Sequence, residues 1–431
     1  MINWAEILEI IPQGTSEADL EDRFIGKFLT EGLGFAPTEI AKNKQFTGSN
    51  QTVVPDYTCC VRDHQSSELL LVVEDKAVKP ELMPKAIEEV KEQMLISGAK
   101  FGLATNGLQI QLWQRYGSIC VPRTSLLEIS SETLESIIDN FKDHLNVPKR
   151  ALTTMFWVNK GGVGKTTITA NIAAALAQKE EAKILLVNFD LQGDLNILMN
   201  FPRMSEYNPP ITIFEALDDA ASGLGKITPE QLIRKQKFTI QGSGLASLLT
   251  SKRECQLDII PGDKSMQKVE RGEEGFDEDR ALQFFLEPIQ QDYDYIFIDA
   301  SPQWEKLGKK VAYASDIVIP IVDNSGFSVE AVKRLKDNYL IPDEFPDGYP
   351  PRLLSCIINC RFQGQTANSS INEIKGEIES LGLEWKSDWV LKNYAVTVSS
   401  IKKGMPVVFS YPNQKATKDF QSLAASIFSK N

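Results

Sequence analysis

The chain has 431 residues, more than the roughly 250–300 at which a single core stops growing, so two domains are expected, one of them large. Hydrophobic residues make up 42% and charged residues 24%, an ordinary globular composition without low-complexity tracts or a fixed internal period, which excludes wholesale disorder. The net charge is −12, and both halves of the chain are acidic, which excludes nucleic-acid binding by bulk positive charge; DNA contact would need a local basic patch and would weaken as salt rises.

The chain opens on MINWAEILEIIPQG, with acidic residues where a secretory leader carries basic ones, and no apolar run approaches the ~20 residues that cross a bilayer. A soluble, cytoplasmic protein without a membrane partner is expected. The six cysteines (59, 60, 120, 255, 356, 360) form no CxxC pair and there are two histidines, His64 and His144, so they read as reduced thiols rather than a zinc or disulfide framework.

A helical pattern, TSEADLEDRFIGKFLTEGLGF, comes first. Strand-like runs TVVPDYTCCV and ELLLVVEDKA follow, then a helix over about 84–97 and two more strands, KFGLATN and LQIQLWQR. This predicts a small α/β or α+β domain with polar residues gathered at the ends of its two central strands.

At those ends stand Pro55-Asp56 and, after seventeen intervening residues, Glu74-Asp75-Lys76. The spacing fits a PD…(D/E)xK arrangement, in which Asp56 and Glu74 on neighbouring strands can hold Mg²⁺ while Lys76 stabilises developing charge. Strand alternation puts Glu74 and Lys76 on one face and Asp75 on the other. LEDRFIGKFLTEGLGF before the pair and KFGLATNGLQIQLWQ after it resemble the N-terminal domain of type I restriction enzyme R subunits, over about residues 15–120. The resemblance implies a nuclease-like fold with a second divalent metal of its own, Glu21 as a helix carboxylate near the metal, and Gln93 at the glutamine of a QxxxY motif whose tyrosine is replaced by Ser97. Glu21 and Gln93 read equally well as solvent-facing helix residues.

Turn signals and charge at Asn146-Val147-Pro148-Lys149-Arg150 mark a boundary near 148–151, giving domains 1–148 and 151–431. Beyond it, the runs LTTMFWVN, AKILLVNFD, DYIFID, DIVIPIV and LLSCIIN alternate with helical stretches, which predicts right-handed crossovers and a mostly parallel twisted sheet. Residues 201–256 have weak periodicity, and no element is assigned there.

The first strand runs into Asn159-Lys160-Gly161-Gly162-Val163-Gly164-Lys165-Thr166-Thr167, and ITANIAAALAQ then reads as a helix. A phosphate loop needs this context: glycines turn backbone N–H groups toward phosphates, the helix N-terminus adds its dipole, Lys165 reaches the β- and γ-oxygens, and Thr166 offers a hydroxyl to Mg²⁺. The GxxxxGKS/T pattern itself fails, because Asn159 stands where its first glycine belongs.

The string KGGVGKTT resembles instead the ParA/MinD family of deviant Walker ATPases, over about 151–428. LLVNFDLQGDLN is similar to that family's switch segment, which implies that Asp190 positions the attacking water. DYDYIFIDASP is similar to its Walker B strand, with Asp299 supporting Mg²⁺ through water. LDIIPGD, ASDIVIPIV and KKGMPVVFSYPNQKATKDFQSLAASI follow in family order, and Asn359 lies where members often contact adenine, although a satisfied strand-end asparagine is an equal reading. Asn188 replaces the usual first aspartate of the switch and DASP replaces DTPP, which bears on hydrolysis rate more than on binding.

The resemblance implies ATP and Mg²⁺ as ligands and an ATP-driven homodimer in which Lys160 crosses to the partner's phosphates. It further implies non-specific DNA binding, a protein partner that stimulates hydrolysis, and a role in DNA partitioning or cargo positioning, with nucleoid association if DNA is bound. Lys402 and Lys403 are DNA-contact candidates by the same analogy, against the plainer reading of a solvated helix face. Two other functions stay open: an ATP-dependent nuclease of a DNA-defence system, and a non-catalytic scaffold whose nuclease-like domain only binds.

Overall fold

The computed structural model describes residues 4–49, 51–63, 66–147, 149–179, 181–240, 253–272, 278–302, 304–324, 328–345, 350–360, 365–392 and 395–428. The chain divides into two compact units, one built on Met1–Pro148 and the other on Lys149–Phe345 with Pro350–Ile427.

The first unit is a mixed sheet of β1 (Ile40–Lys42), β2 (Tyr57–Asp63), β3 (Ser66–Asp75), β4 (Phe101–Thr105), β5 (Gln109–Tyr116) and β6 (Ile119–Pro122), hydrogen-bonded in that order. Only β3 and β4 run parallel, with Glu74 beside Ala104; the helix Met83–Ser97 makes the crossover between them. That helix ends at Gly98, whose φ of +79° closes it in the left-handed conformation. The apolar run of β3 is buried on both faces. Leu71 and Val73 pack with Phe24 and Phe28 of the N-terminal helical segment, whereas Val72 packs with Met83, Val90 and Met94 of the crossover helix. Successive side chains of a strand point to opposite faces, so a two-sided core requires this unbroken hydrophobic run. The TVVPDYTCCV run is not one strand: Pro55 separates a short strand, Thr52–Val53, from β2, because proline cannot donate to the ladder.

In the second unit β7 (Leu152–Trp157), β8 (Ile184–Phe189), β9 (Arg234–Ile240), β10 (Arg253–Ile260), β11 (Tyr295–Ala300), β12 (Ile317–Asp323), β13 (Ile357–Cys360) and β14 (Val390–Lys392) form one sheet in the order β9-β10-β8-β11-β7-β12-β13-β14. Every neighbouring pair is parallel except β9 with β10. The antiparallel edge lies in the weakly periodic 201–256 segment. There the helix Ile213–Ala221 is fixed by a capping box between Thr212 and Glu215, and β9 shows an alternating burial pattern, as expected of an edge strand; residues 241–252 of that segment lie outside the described residues. Strand β7 sits centrally between β11 and β12, so the loop after it opens at the carboxyl end of the sheet, where open α/β sheets place their ligand sites. No described helix is long and apolar enough to cross a membrane.

Candidate nucleotide site

Strand β7 is fully buried and leads directly into the glycine loop and the helix Lys165–Lys179, all of whose residues from Ile168 to Ala177 are buried. Gly162 and Gly164 take φ of +76° and +99°, a region side-chain-bearing residues rarely enter. At Gly164 an added Cβ would also lie 2.5 Å from Asn359 Nδ2, so the residue must be glycine for two independent reasons. The loop thus keeps its backbone amides bare on one side, the form a phosphate cradle requires.

Lys165 is 5% exposed, and its ammonium donates to Asp190 Oδ2 at 2.8 Å and to Asp299 Oδ1. Asp299 ends the buried strand β11 and also accepts the Thr166 hydroxyl at 2.7 Å. Burial opposes charge on Lys165, but the two carboxylates outweigh it and raise its pKa; burial likewise raises that of Asp299 against the pull of Lys165. Asp190 follows β8 and is held in turn by the Gln192 amide, which donates to its Oδ1 at 3.0 Å. Asn188 is part of a buried neutral network: its amide donates to Asn196 at 2.7 Å, and Asn196 both accepts from and donates to the Gly262 backbone. An aspartate there would bring a third carboxylate to a strand end that already holds two.

A cavity of about 570 Å³ is lined by the whole loop from Lys160 to Thr167, together with Asp190, Gln192, Asp194, Pro302 and Ile401. Thr166 lines it and its hydroxyl donates to the fully buried Asp299, so two hard oxygen donors lie side by side there, which suits Mg²⁺ rather than a softer metal. A second, smaller cavity of about 190 Å³ lies between Gly162, Gly164 and Thr167 on one side and Asn359, Cys360, Leu391 and Lys392 on the other. Asn359 donates to the Val163 carbonyl at 2.6 Å, so β13 is tied to the loop through this side chain. Lys160 is paired within its own chain, to the buried Asp323 at the end of β12, at 3.0 Å. Lys403 lies 4.0 Å over the Tyr411 ring, and Lys402 is exposed in the same turn. Lys160, Lys165, Thr166, Asp190 and Asp299 therefore gather at one end of the sheet.

In the first unit Asp56, Glu74 and Lys76 also converge. Lys76 ion-pairs with Glu74, with Glu89 at 2.8 Å and with Glu17 at 3.2 Å, while Gln93 donates to the other oxygen of Glu74. Asp56 accepts the Asp75 backbone amide at 2.8 Å. Burial pushes the Glu74 carboxyl up to about 8 and that of Asp75 up to about 9, in each case reinforced by neighbouring acids; Glu89 is held down to about 2, first by its hydrogen bond with Glu74. Among the described residues two acidic groups have oxygens within 4.8 Å of one another: Glu17, Asp56 and Glu74, and Glu21, Asp56 and Asp75. Glu17, Glu89 and Asp75 were not singled out by the sequence pattern as members of the cluster. For Glu89, its position four residues before Gln93, on the same helix face, was the available signal.

Residues 153–340 match the family model described as an AAA domain. A ParA family protein of Chlamydia pneumoniae is 24% identical over 280 residues, covering 62% of this chain and 94% of its own length. The sporulation initiation inhibitor protein Soj of Bacillus subtilis is 28% identical over 179 residues, covering 41% and 60%. Among solved structures, pNOB8 ParA bound to nonspecific DNA superposes with a TM-score of 0.46 at 20% identity, over 65% of this chain and 98% of that one. The glycine loop, its lysine and Asp190 share one cavity, and the chain that carries them is similar in sequence to ParA family proteins, with residues 153–340 matching the AAA domain model.

Proposed function

We propose that the protein is an ATP-dependent molecular switch that binds ATP with Mg²⁺, pairs with a second copy around the nucleotide, and in that state binds DNA non-specifically for partitioning or cargo positioning. The observation that carries this reading is the buried Lys165 ammonium held between Asp190 and Asp299 at the mouth of the glycine loop. An ammonium so placed is charged and pre-positioned; phosphate oxygens entering the loop would compete for it and release Asp190. The freed carboxylate would then orient a water toward the γ-phosphate. Thr166 and Asp299 would hold Mg²⁺, which supplies charge neutralisation between the β- and γ-phosphates. The Gly161–Thr167 amides would cradle the phosphates, and Asn359 would border the base.

Lys160 would exchange Asp323 for the phosphates of the partner copy, so the ion pair at 3.0 Å represents the resting arrangement. Such an exchange makes the dimer depend on γ-phosphate charge and makes hydrolysis its release. A hydrolysis-stimulating protein partner and nucleoid association belong to the same reading. Titrating ATP calorimetrically into the wild type and Lys165→Ala, with and without Mg²⁺, tests it; equal affinity in the two proteins would refute it.

A second reading concerns the first unit, and the approach of Asp56, Glu74 and Lys76 favours it: a PD-(D/E)xK nuclease-like domain in which carboxylates hold a divalent cation and Lys76 faces a phosphodiester. Incubating plasmid DNA with Mg²⁺ or Mn²⁺, with and without ATP, against a Lys76→Ala control separates the possibilities. Cleavage lost in the variant makes the protein an ATP-linked nuclease of the defence type, and cation binding without cleavage leaves the unit a binding scaffold.

A further inference from the structure

The acidic cluster of the first unit has two sides, and only one of them has every buried carboxylate partnered. On the side of the helix Met83–Ser97, both oxygens of Glu74 are taken, one by the Lys76 ammonium and the other by the Gln93 amide. Lys76 also meets Glu89 of that helix and reaches Glu17 of the N-terminal helical segment. On the side of the N-terminal helical segment the situation is reversed. Asp75 is fully buried, and neither of its carboxylate oxygens has a hydrogen-bond partner. It faces Asp56 and Glu21, with one oxygen from each of the three lying within 4.8 Å of the others. Two cations border this group: Lys42 pairs with Glu21 at 3.0 Å from the exposed side, and Lys76 donates to the Asp75 main-chain carbonyl at 3.1 Å, but neither pairs with the Asp75 carboxylate.

A buried carboxylate without a partner is costly, by roughly 1–3 kcal/mol or more for the missing hydrogen bonds alone, and it is retained where something outside the chain satisfies it. We infer that Glu21, Asp56 and Asp75 form a divalent-cation site, with Asp75 rather than Glu74 as the decisive ligand and Asp56 standing at the junction of the two sides. A hard cation at about 2.0–2.6 Å from each oxygen spans separations of about 4–5 Å, so the three carboxylates need little movement to close on it. Asp56 is already oriented, because its other role is to accept the Asp75 amide at 2.8 Å. Glu21 is partly exposed and leaves the cation open to water and to a phosphate oxygen on its outer side. Lys76 stays with Glu74 and serves as the fixed positive charge beside that opening.

This inference rests on the reading of the first unit as a cation-holding domain, and the experiment keeps the two apart. Mn²⁺ is titrated into the full-length protein without nucleotide, and free Mn²⁺ is followed by electron paramagnetic resonance. Asp75→Asn and Glu21→Gln should each weaken binding at least tenfold, and Glu74→Gln by less than about threefold. Glu21→Gln, at a partly exposed position, keeps the test valid if Asp75→Asn folds poorly, as circular dichroism would report. Binding that survives Asp75→Asn and Glu21→Gln but is lost in Glu74→Gln overturns the inference and leaves a cation-holding unit standing. Absence of Mn²⁺ binding by the wild type overturns both.

Discussion

Lys165 is worth more to this molecule than its single charge suggests, because it holds two acids at once. Its removal leaves Asp190 and Asp299 facing each other at buried strand ends, and it takes away one charge-assisted phosphate contact of about 1.5–3 kcal/mol. Lys165→Ala should therefore lower ATP affinity roughly ten- to a hundredfold in calorimetry. A different consequence holds at Asp75, whose carboxyl is raised to about 9 by burial and by the acids around it. The folded protein keeps a proton there that the unfolded chain releases near pH 4. The stability that this proton gives is full at low pH and drains away as pH rises toward 9. Without metal, Asp75→Asn should abolish that loss and be the more stable protein by on the order of 1–4 kcal/mol at pH 8, read by chemical denaturation between pH 5 and 8. A variant whose stability falls with pH as steeply as the wild type would contradict the placement of Asp75.

At the scale of elements, the glycine loop is the part least tolerant of change. Gly164→Ala meets both a positive φ and the Asn359 side chain, so the loop must shift or β13 must let go of it. A loss of ~1–3 kcal/mol in stability, with at least a tenfold fall in ATP affinity, is expected from denaturation and calorimetry on the same sample. Thr212→Ala removes one half of the capping box at Ile213–Ala221 and should cost about 1 kcal/mol without touching nucleotide affinity.

These elements also mark how far the sequence could be read. Strands β7, β8, β11 and β12 are continuous apolar runs with turn signals at their ends, and a buried parallel strand has no other way to look. The loop and its helix were legible for a related reason: glycines, lysine and threonine at fixed spacing do chemistry that few other contexts need. Strand β9 was not legible, since an edge strand with alternating polar residues carries a weak signal, and its partner in the ladder is set by tertiary contact rather than by local pattern. The same holds for the pairing of Lys160 with Asp323, residues 163 positions apart that meet only once β12 lies beside β7. At the first unit, Asp56, Glu74 and Lys76 could be singled out by spacing alone. That Glu74 is satisfied within the chain while Asp75 is not depends on Gln93 and Glu21, whose side chains reach the cluster from helices on opposite faces of β3, and no spacing rule encodes that.

For the molecule as a whole, the proposed switch makes one state depend on another copy of the chain. Asp190 is the residue whose loss separates binding from release. Replacing it by alanine leaves Lys165 paired with Asp299 and leaves the loop amides and Thr166 in place, so ATP should still bind. Without the carboxylate that orients water, the γ-phosphate should persist and hold two copies together. The most direct measurement is multi-angle light scattering of Asp190→Ala on a sizing column in ATP and Mg²⁺, with ADP as the control. The account predicts a dimer near twice the 48.1 kDa chain mass in ATP and a monomer in ADP. A monomer in both nucleotides, at an ATP concentration that saturates the site, would contradict the switch.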